Sequence, residues 1–224
     1  MSSTAPAFNG AEADLDAYAA QAAHQLGEAV ALMRGYLALL EPRGKNDADL
    51  RAVVRGMSAG AERAQRFVDD LLDVAATGRG SLAVTAVALG DALGEARIRL
   101  ADELHETGAD LRSKPLPEVR GDRDLIVRLL CHLLRAALAA GATTIELEGT
   151  HEDGFVRVDL RDDGEPASGD PFAPFARARG RGPLVGAGVG LTVSRRIVEL
   201  HGGAIALDQD GEGGTVSTFT LPAG

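Results

Sequence analysis

Three short glycine-containing segments in the second half of the sequence, one of them with two aspartates, have patterns that suit ligand binding. Asp162–Gly164 (DDG) ends an apolar strand pattern and places a carboxylate at the mouth of a loop. Gly186–Leu191 (GAGVGL) opens a helical pattern, where glycines let backbone N–H groups approach a phosphate and the helix dipole favours the anion. Gly211–Thr215 (GEGGT) is a tight turn into a further strand. Each signal is weak alone, but with the helix Asp122–Ala140 as a wall, their order predicts one pocket.

The first part of the sequence has the periodicity of two long helices. Apolar residues recur at spacings of three and four between Leu26 and Leu40, which predicts a helix over Ala11–Glu41. A turn over residues 42–47 follows, and a second amphipathic pattern predicts a helix over Ala48–Ala76. Two helices joined by a short loop form an antiparallel hairpin, which cannot enclose a core alone. We therefore expect a homodimer in which two hairpins form a four-helix bundle.

The pattern changes after a linker at Gly78–Ser81. Strands are predicted at Leu82–Leu89, residues 109–112, Thr143–Glu148, Phe155–Leu160, Ala204–Leu207 and Thr215–Leu221. Helices are predicted at Asp91–Thr107, Asp122–Ala140 and Leu191–His201, with Asp122 as a helix cap. We therefore expect two domains, residues 1–77 and 82–224. The fold class is α+β, and the second domain is a sandwich in which helices cover one face of a mixed sheet.

Composition indicates a globular chain without a membrane segment. The 23 Lys and Arg and 33 Asp and Glu residues give a net charge of −10, which argues against nucleic-acid binding through basic patches. No stretch of about 18 apolar residues lacks a charge, and Met1–Gly10 lacks the regions of a secretion signal. The single cysteine, Cys131, fits a reducing compartment. We expect a cytoplasmic protein that binds no nucleic acid and does not insert into a membrane.

Taken together, the motifs resemble the catalytic core of two-component sensor histidine kinases over nearly the whole chain. His24–Val30 (HQLGEAV) with Arg34–Leu37 (RGYL) is similar to the phosphoacceptor box of phytochrome-type kinases. Phe67–Leu72 (FVDDLL) is similar to the second helix of that group. The remaining matches are Asp162–Gly164 to the adenine box, Phe172–Phe175 to the F box, Gly186–Leu191 to the second glycine box, Arg195–Gly203 to the following helix, and Gly213–Pro222 to the closing strand.

The resemblance implies a fold and a reaction. The fold is a dimeric helical hairpin followed by an α/β sandwich of the histidine kinase, gyrase and chaperone ATPase type. In the reaction, a neutral imidazole nitrogen of His24 takes a phosphoryl group from ATP, and an aspartate on the receiver domain of a response regulator receives it. Glu28, one helical turn further on, is expected to orient the ring. The sequence contains no sensory domain, so we expect the signal to come from a separate sensor or upstream protein.

The resemblance also implies ATP and Mg²⁺ as cofactors, but the metal ligand has changed. In the family, the helix that matches residues 129–139 carries N-L-L-x-N-A, and its second Asn helps to hold Mg²⁺ at the triphosphate. This chain has HLLRAA at His132–Ala137, so the ligand position is Ala136, which has no oxygen for a hard cation. The cation that often follows is replaced by Ala139. In addition, Gln25 stands where an acid is usual, and Pro166 where the adenine loop usually has a second glycine.

Several residues keep alternative interpretations. His132 either replaces an Asn ligand or is a polar packing residue, and Asp162 either binds adenine or forms a turn. Arg177, Arg179 and Arg181 either meet phosphates or form a solvated loop, while His105, His151 and His201 are interpreted as surface or capping residues. The resemblance implies nucleotide contacts at Asp162, Gly164, Gly186, Gly188, Gly190, Thr215 and His132.

Three functions are consistent with these observations. The first is an active histidine kinase. The second is a degenerate relative that acts as a histidine phosphotransferase or as a non-catalytic dimeric scaffold, since the metal site is lost. The third is a serine kinase that regulates a sigma factor, which belongs to the same ATPase superfamily. The N-terminal hairpin with its His24 box argues against the third.

Overall fold

The computed structural model describes residues 26–40, 42, 48–77, 82–166, 169–172, 190–211 and 213–224. The chain divides into two compact units, Met1–Gly80 and Ser81–Gly224. None of the helices in the described residues is long and apolar enough to cross a membrane.

The first unit contains two helices, α1 (residues 26–40) and α2 (Ala48–Thr77). A Cβ atom added at Gly27 would lie 3.5 Å from Cγ1 of Val68, so the described start of α1 lies beside the later part of α2. The two helices are therefore antiparallel, as the sequence predicted. The expected part of the first helix before residue 26, including His24 and Gln25, lies outside the described residues.

The core of this hairpin uses only part of its apolar surface. Val30 and Leu37 on α1 are buried with Val54 and Ala61 on α2, and each pair is seven residues apart, which is two helical turns. Other large apolar side chains on the predicted inner face remain exposed in the single chain: Leu26, Met33, Tyr36, Val53 and Met57. One hairpin therefore leaves an apolar stripe exposed beside its core.

The second unit is built from two sheets and four helices within the described residues. Its strands are β1 (Val84–Ala88), β2 (Asp110–Ser113), β3 (Glu118–Asp122), β4 (Thr144–Glu152), β5 (Phe155–Asp162), β6 (Ile205–Gln209) and β7 (Thr215–Pro222). Its helices are α3 (Leu89–Arg99), α4 (Ala101–Thr107), α5 (Arg123–Ala139) and α6 (Gly190–Leu200). β1 pairs with β3, and the larger sheet has the order β2-β4-β5-β7-β6, in which only β2 and β4 are parallel.

The larger sheet has one apolar face and one polar face. Side chains alternate along its central strands, so that Val156, Val158 and Leu160 of β5 are buried while Arg157 and Arg161 are not. α5 contributes a continuous buried surface that includes Ile126, Leu130 and Leu134. This arrangement is the predicted α+β sandwich with helices on one face of a mixed sheet.

Two elements differ from the predicted ones. The helix expected over Asp91–Thr107 is divided into α3 and α4 at Leu100, which is fully buried and has φ −108° and ψ 16°. β3 was not predicted, because its sequence EVRGD has only Val119 as a large buried apolar residue and contains Gly121. Pairing with β1, not an apolar pattern, makes this segment a strand.

The structure corrects the interpretation of His201 as a surface or capping residue. Its imidazole is buried, Nδ1 donates to the Ile197 carbonyl at 2.7 Å, and Nε2 accepts the Asp122 N–H at 2.9 Å. Asp122 caps α5 as predicted, because its Oδ1 accepts the N–H groups of Asp124 and Leu125. His201 thus joins the end of α6 to the start of α5. His105 and His151 are exposed, as expected.

We predict that His201→Ala lowers the free energy of unfolding by about 1–3 kcal/mol, because it removes the acceptor of the part-buried Asp122 N–H and a buried side chain that joins α6 to α5. Thermal and urea unfolding of the full chain, followed by circular dichroism, measures the loss. The matched control is His151→Ala on the exposed part of β4, which should change stability by no more than about 0.5 kcal/mol. Equal stability of the two variants would contradict the structural role of His201.

Candidate functional site

Asp162 is the buried carboxylate at the centre of the candidate site. It is the last residue of β5, and its backbone pairs in register with Ile145 of β4 and Thr215 of β7. Its Oδ1 accepts the N–H of Gly164 at 2.9 Å. Burial raises the pKa of Asp162 to about 6, the Gly164 N–H lowers it in part, and the charge of Asp163 raises it further. The carboxylate is therefore costly to ionise unless a ligand donates to it.

Two glycines allow the chain to close around Asp162. A Cβ atom at Gly164 would lie 2.8 Å from both Oδ1 of Asp162 and Cβ of Ala140. A Cβ atom at Gly214 would lie 2.1 Å from the backbone oxygen of Asp162, which no side chain can tolerate. The structure therefore brings Asp162, Gly164 and the buried Thr215 together with the end of α5, as their order in the sequence suggested.

Asp163 fixes the turn that follows Asp162, although no role was predicted for it. Its Oδ1 accepts the N–H groups of Thr143 and Thr144, and its Oδ2 accepts the Thr143 hydroxyl at 2.6 Å. The hydroxyl hydrogen bond is the largest cause that lowers the pKa of the Asp163 carboxyl, and the backbone donors add to it. The two adjacent aspartates thus differ in role, because one is buried at the site and the other ties β5 to the start of β4.

His132 is buried on α5 and faces the beginning of α6. A Cβ atom at Gly190, the first residue of α6, would lie 3.2 Å from Nδ1 of His132. Gly190 is the end of the predicted glycine loop, so His132 and this loop end are neighbours. Gly186 and Gly188 lie outside the described residues, as do Arg177, Arg179 and Arg181. Glu28 is exposed on α1, in the other unit of the chain.

The chain that leads into this loop is held against α6. Phe172 is buried, its carbonyl accepts the Thr192 hydroxyl at 3.0 Å, and the Arg195 guanidinium lies 4.2 Å from the centre of its ring. Asp170 accepts the Phe172 N–H and lies 3.6 Å from Arg195. Both described ends of the segment 173–189, at Phe172 and at Gly190, are therefore anchored at this helix.

The described residues do not fit a magnesium ion. Mg²⁺ requires oxygen ligands in octahedral geometry. On the relevant side of α5, positions 132, 136 and 139 provide one imidazole and two methyl groups, with Ala136 and Ala139 half-buried. No group of three or more His, Cys, Asp or Glu side chains that could hold a metal ion exists within the described ranges.

Comparison with known proteins identifies the architecture. Residues 121–224 match the family of histidine kinase-, DNA gyrase B- and HSP90-like ATPases. Cyanobacterial phytochrome A of Nostoc is 29% identical over 95% of this chain, and the sensor histidine kinase ZraS of Escherichia coli is 27% identical over 91%. The chain spans only 29% and 44% of the lengths of these two relatives.

Solved structures share the fold. Full-length ShkA in complex with AMPPNP has a TM-score of 0.69 at 23% identity, and the match covers 92% of this chain and 45% of ShkA. Histidine kinase ThkA in complex with response regulator TrrA has a TM-score of 0.62 at 20% identity, and covers 92% of this chain and 60% of that one. This chain thus resembles the catalytic core of sensor histidine kinases, phytochrome-type proteins included, with residues 121–224 as its ATPase-like part.

Proposed function

We propose that this chain is a two-component signalling protein in which His24 carries a phosphoryl group and passes it to an aspartate on a receiver domain. The observation that carries the proposal is the extent of the similarity, which includes 95% of the chain and therefore both of its units. The ATPase-like fold alone occurs in proteins with other functions. Its combination with the helical hairpin and the His24 box favours histidine phosphotransfer.

The chemistry at His24 needs a neutral imidazole and an accessible helix surface. One ring nitrogen attacks phosphorus, the bond from phosphorus to the leaving oxygen breaks, and the other ring nitrogen can release its proton. Glu28 is exposed on α1 and lies four residues after His24 in the sequence, a spacing suited to hold the ring through that proton if the helix extends to His24. Gln25 cannot act as a general base at the position where the family usually has an acid.

A homodimer explains the exposed stripe of the hairpin. Met33 and Tyr36 on α1, with Val53 and Met57 on α2, are each about half exposed or more in the single chain, and apolar side chains in a contiguous stripe usually mark an interface. A second copy would convert the two-helix core into a four-helix bundle. The proposal includes a separate upstream protein that provides the signal and a cytoplasmic location for the dimer.

The source of the phosphoryl group distinguishes two forms of this function. In the first, the chain is a kinase and ATP is the donor. In the second, it is a histidine phosphotransferase, and the donor is an aspartyl phosphate on another protein. Ala136 and Ala139 favour the second, because phosphoryl transfer from ATP relies on metal-assisted positioning and neutralisation of charge. A dimeric scaffold without phosphotransfer is the form that remains if His24 is never phosphorylated.

We expect His24→Ala to abolish acid-labile phosphorylation of the chain, because the substitution removes the nucleophile. The dimer should remain intact, since we expect this position on the surface of the bundle. The full chain is incubated with a radiolabelled phosphorylated receiver domain, or with labelled ATP and Mg²⁺. The label that remains on the chain after alkaline treatment is then compared with the label that remains after acid treatment. His151→Ala serves as the matched control. Normal labelling of the His24→Ala variant would show that the phosphoacceptor is assigned wrongly.

Nucleotide affinity should increase with pH as Asp162 ionises. The folded-state pKa of about 6 lies above the ordinary value of 3.8, so the carboxyl retains its proton to a higher pH than a free aspartate. The ionised carboxylate accepts a hydrogen bond from an adenine amino group more strongly than the protonated carboxyl does, so ADP should bind up to about tenfold more weakly at pH 5 than at pH 7. Calorimetry at both pH values measures this ratio. Asp162→Asn should remove the dependence, and an unchanged pH dependence in that variant would exclude Asp162 as its source.

Light scattering should report a dimer at tens of micromolar, a concentration in the range of ordinary association constants. Tyr36→Glu places a charge in the exposed stripe and should shift the chain toward monomer. Ala31→Glu, five residues earlier and exposed on a different side of α1, is the control and should remain dimeric. A wild-type monomer under these conditions would contradict the homodimer.

A further inference from the structure

We propose that the site around Asp162 binds adenine nucleotides without a divalent cation. The affinity then depends on contacts with the adenine base and not on a metal ion held at the phosphates. This inference rests on the proposed function, because it concerns the nucleotide site of the same protein. It differs from what the family resemblance implies, since that resemblance includes Mg²⁺ at the triphosphate.

The part of the site that would bind the adenine base is centred on Asp162. Asp162 is buried, and Gly164 is the backbone donor that orients its Oδ1. The chain at Gly164 lies close to Oδ1 of Asp162, and the chain at Gly214 lies close to the backbone carbonyl of the same residue. Asp163, which follows Asp162 in the chain, is fixed by the hydrogen bonds of its side chain to Thr143 and Thr144. A carboxylate fixed in this way is a preorganised acceptor for an exocyclic amino group, and it needs no metal.

The α5 positions at which the family resemblance implies a magnesium ligand have no side-chain oxygen atoms. His132, Ala136 and Ala139 are four and then three residues apart, so they follow one side of α5. The imidazole of His132 is a ligand typical of transition metals, whereas Mg²⁺ selects carboxylate, carbonyl and water oxygens. Alanine at the other two positions provides no donor atom. A magnesium ion bound to a nucleotide would therefore gain no side-chain ligand from this helix.

Two arginines of α5 form ion pairs with carboxylates. Arg135 pairs with Glu103 of α4 at 3.4 Å, and Arg123 pairs with Glu95 of α3 at 2.5 Å. Neither is available to replace the metal as a counter-charge. Arg123 and Arg135 thus do not replace the free energy that Mg²⁺ normally adds to nucleotide binding, and the bound nucleotide acts as a ligand more readily than as a phosphoryl donor.

Calorimetry on the full wild-type chain tests the proposal directly. ADP and ATP are titrated in buffer with excess EDTA and again with millimolar Mg²⁺. We expect the dissociation constant of each nucleotide to differ by less than about twofold between the two buffers. A tenfold or greater loss of affinity in EDTA would overturn the proposal, since it would show that a metal ion completes the site.

Two variants test separately the contact with the adenine base and the effect of a magnesium ligand on affinity. Asp162→Asn should weaken binding in both buffers to the same extent. Ala136→Asn restores an oxygen ligand and should strengthen binding only with Mg²⁺. Circular dichroism melts establish that each variant is folded. Unchanged affinity in Asp162→Asn, or no detectable binding of either nucleotide to the wild-type chain, also overturns the inference. Labelling of His24 by a phosphorylated receiver is independent of these titrations, so failure here is distinct from failure of the proposed function.

Discussion

The second unit is organised around a carboxylate that is buried where three strands meet. Asp162 ends β5 between β4 and β7, and the chain passes so close to it that Gly164 and Gly214 cannot carry a side chain without displacing their neighbours. Burial opposes its ionisation, and Gly164 offers only one compensating N–H. A ligand that donates a hydrogen bond to this carboxylate would recover part of that cost. The arrangement therefore combines a local penalty in the free chain with a buried hydrogen-bond acceptor of fixed position.

The walls of the site depend on a second set of buried polar contacts. His201 at the end of α6 accepts the N–H of Asp122, and Asp122 caps α5, so the two helices that flank the site are joined at one end. His132 and Gly190 bring the same helices together near the glycine loop. Substitutions at these positions act on the site through the spacing of α5 and α6. This separates the scaffold from the proposed chemistry, which we assign to Asp162 and His24.

Sequence patterns predicted the elements with strong periodicity and missed those fixed by distant partners. The helices Ala48–Thr77 and Arg123–Ala139, and the strands beside Asp153 and Gly154, follow from apolar spacing, a capping aspartate and a turn sequence. The role of His201 depends on a residue 79 positions away, which no local pattern indicates. Asp163 was adjacent to a predicted site residue, but its function became evident only when Thr143 and Thr144 were placed opposite it. The change from asparagine to Ala136, by contrast, is evident from the sequence once the resemblance to the family is stated.

The central claim is that the chain retains histidine phosphotransfer while its nucleotide site has lost the metal. The most direct measurement compares the rates of acid-labile labelling of the full chain from two donors, radiolabelled ATP with Mg²⁺ and a radiolabelled phosphorylated receiver domain. The account predicts labelling by the receiver and very slow or absent labelling by ATP, because the described α5 residues provide no oxygen ligand for Mg²⁺. Rapid Mg²⁺-dependent labelling by ATP would contradict it and would show that another residue, with His132 as the first to examine, has replaced the lost ligand.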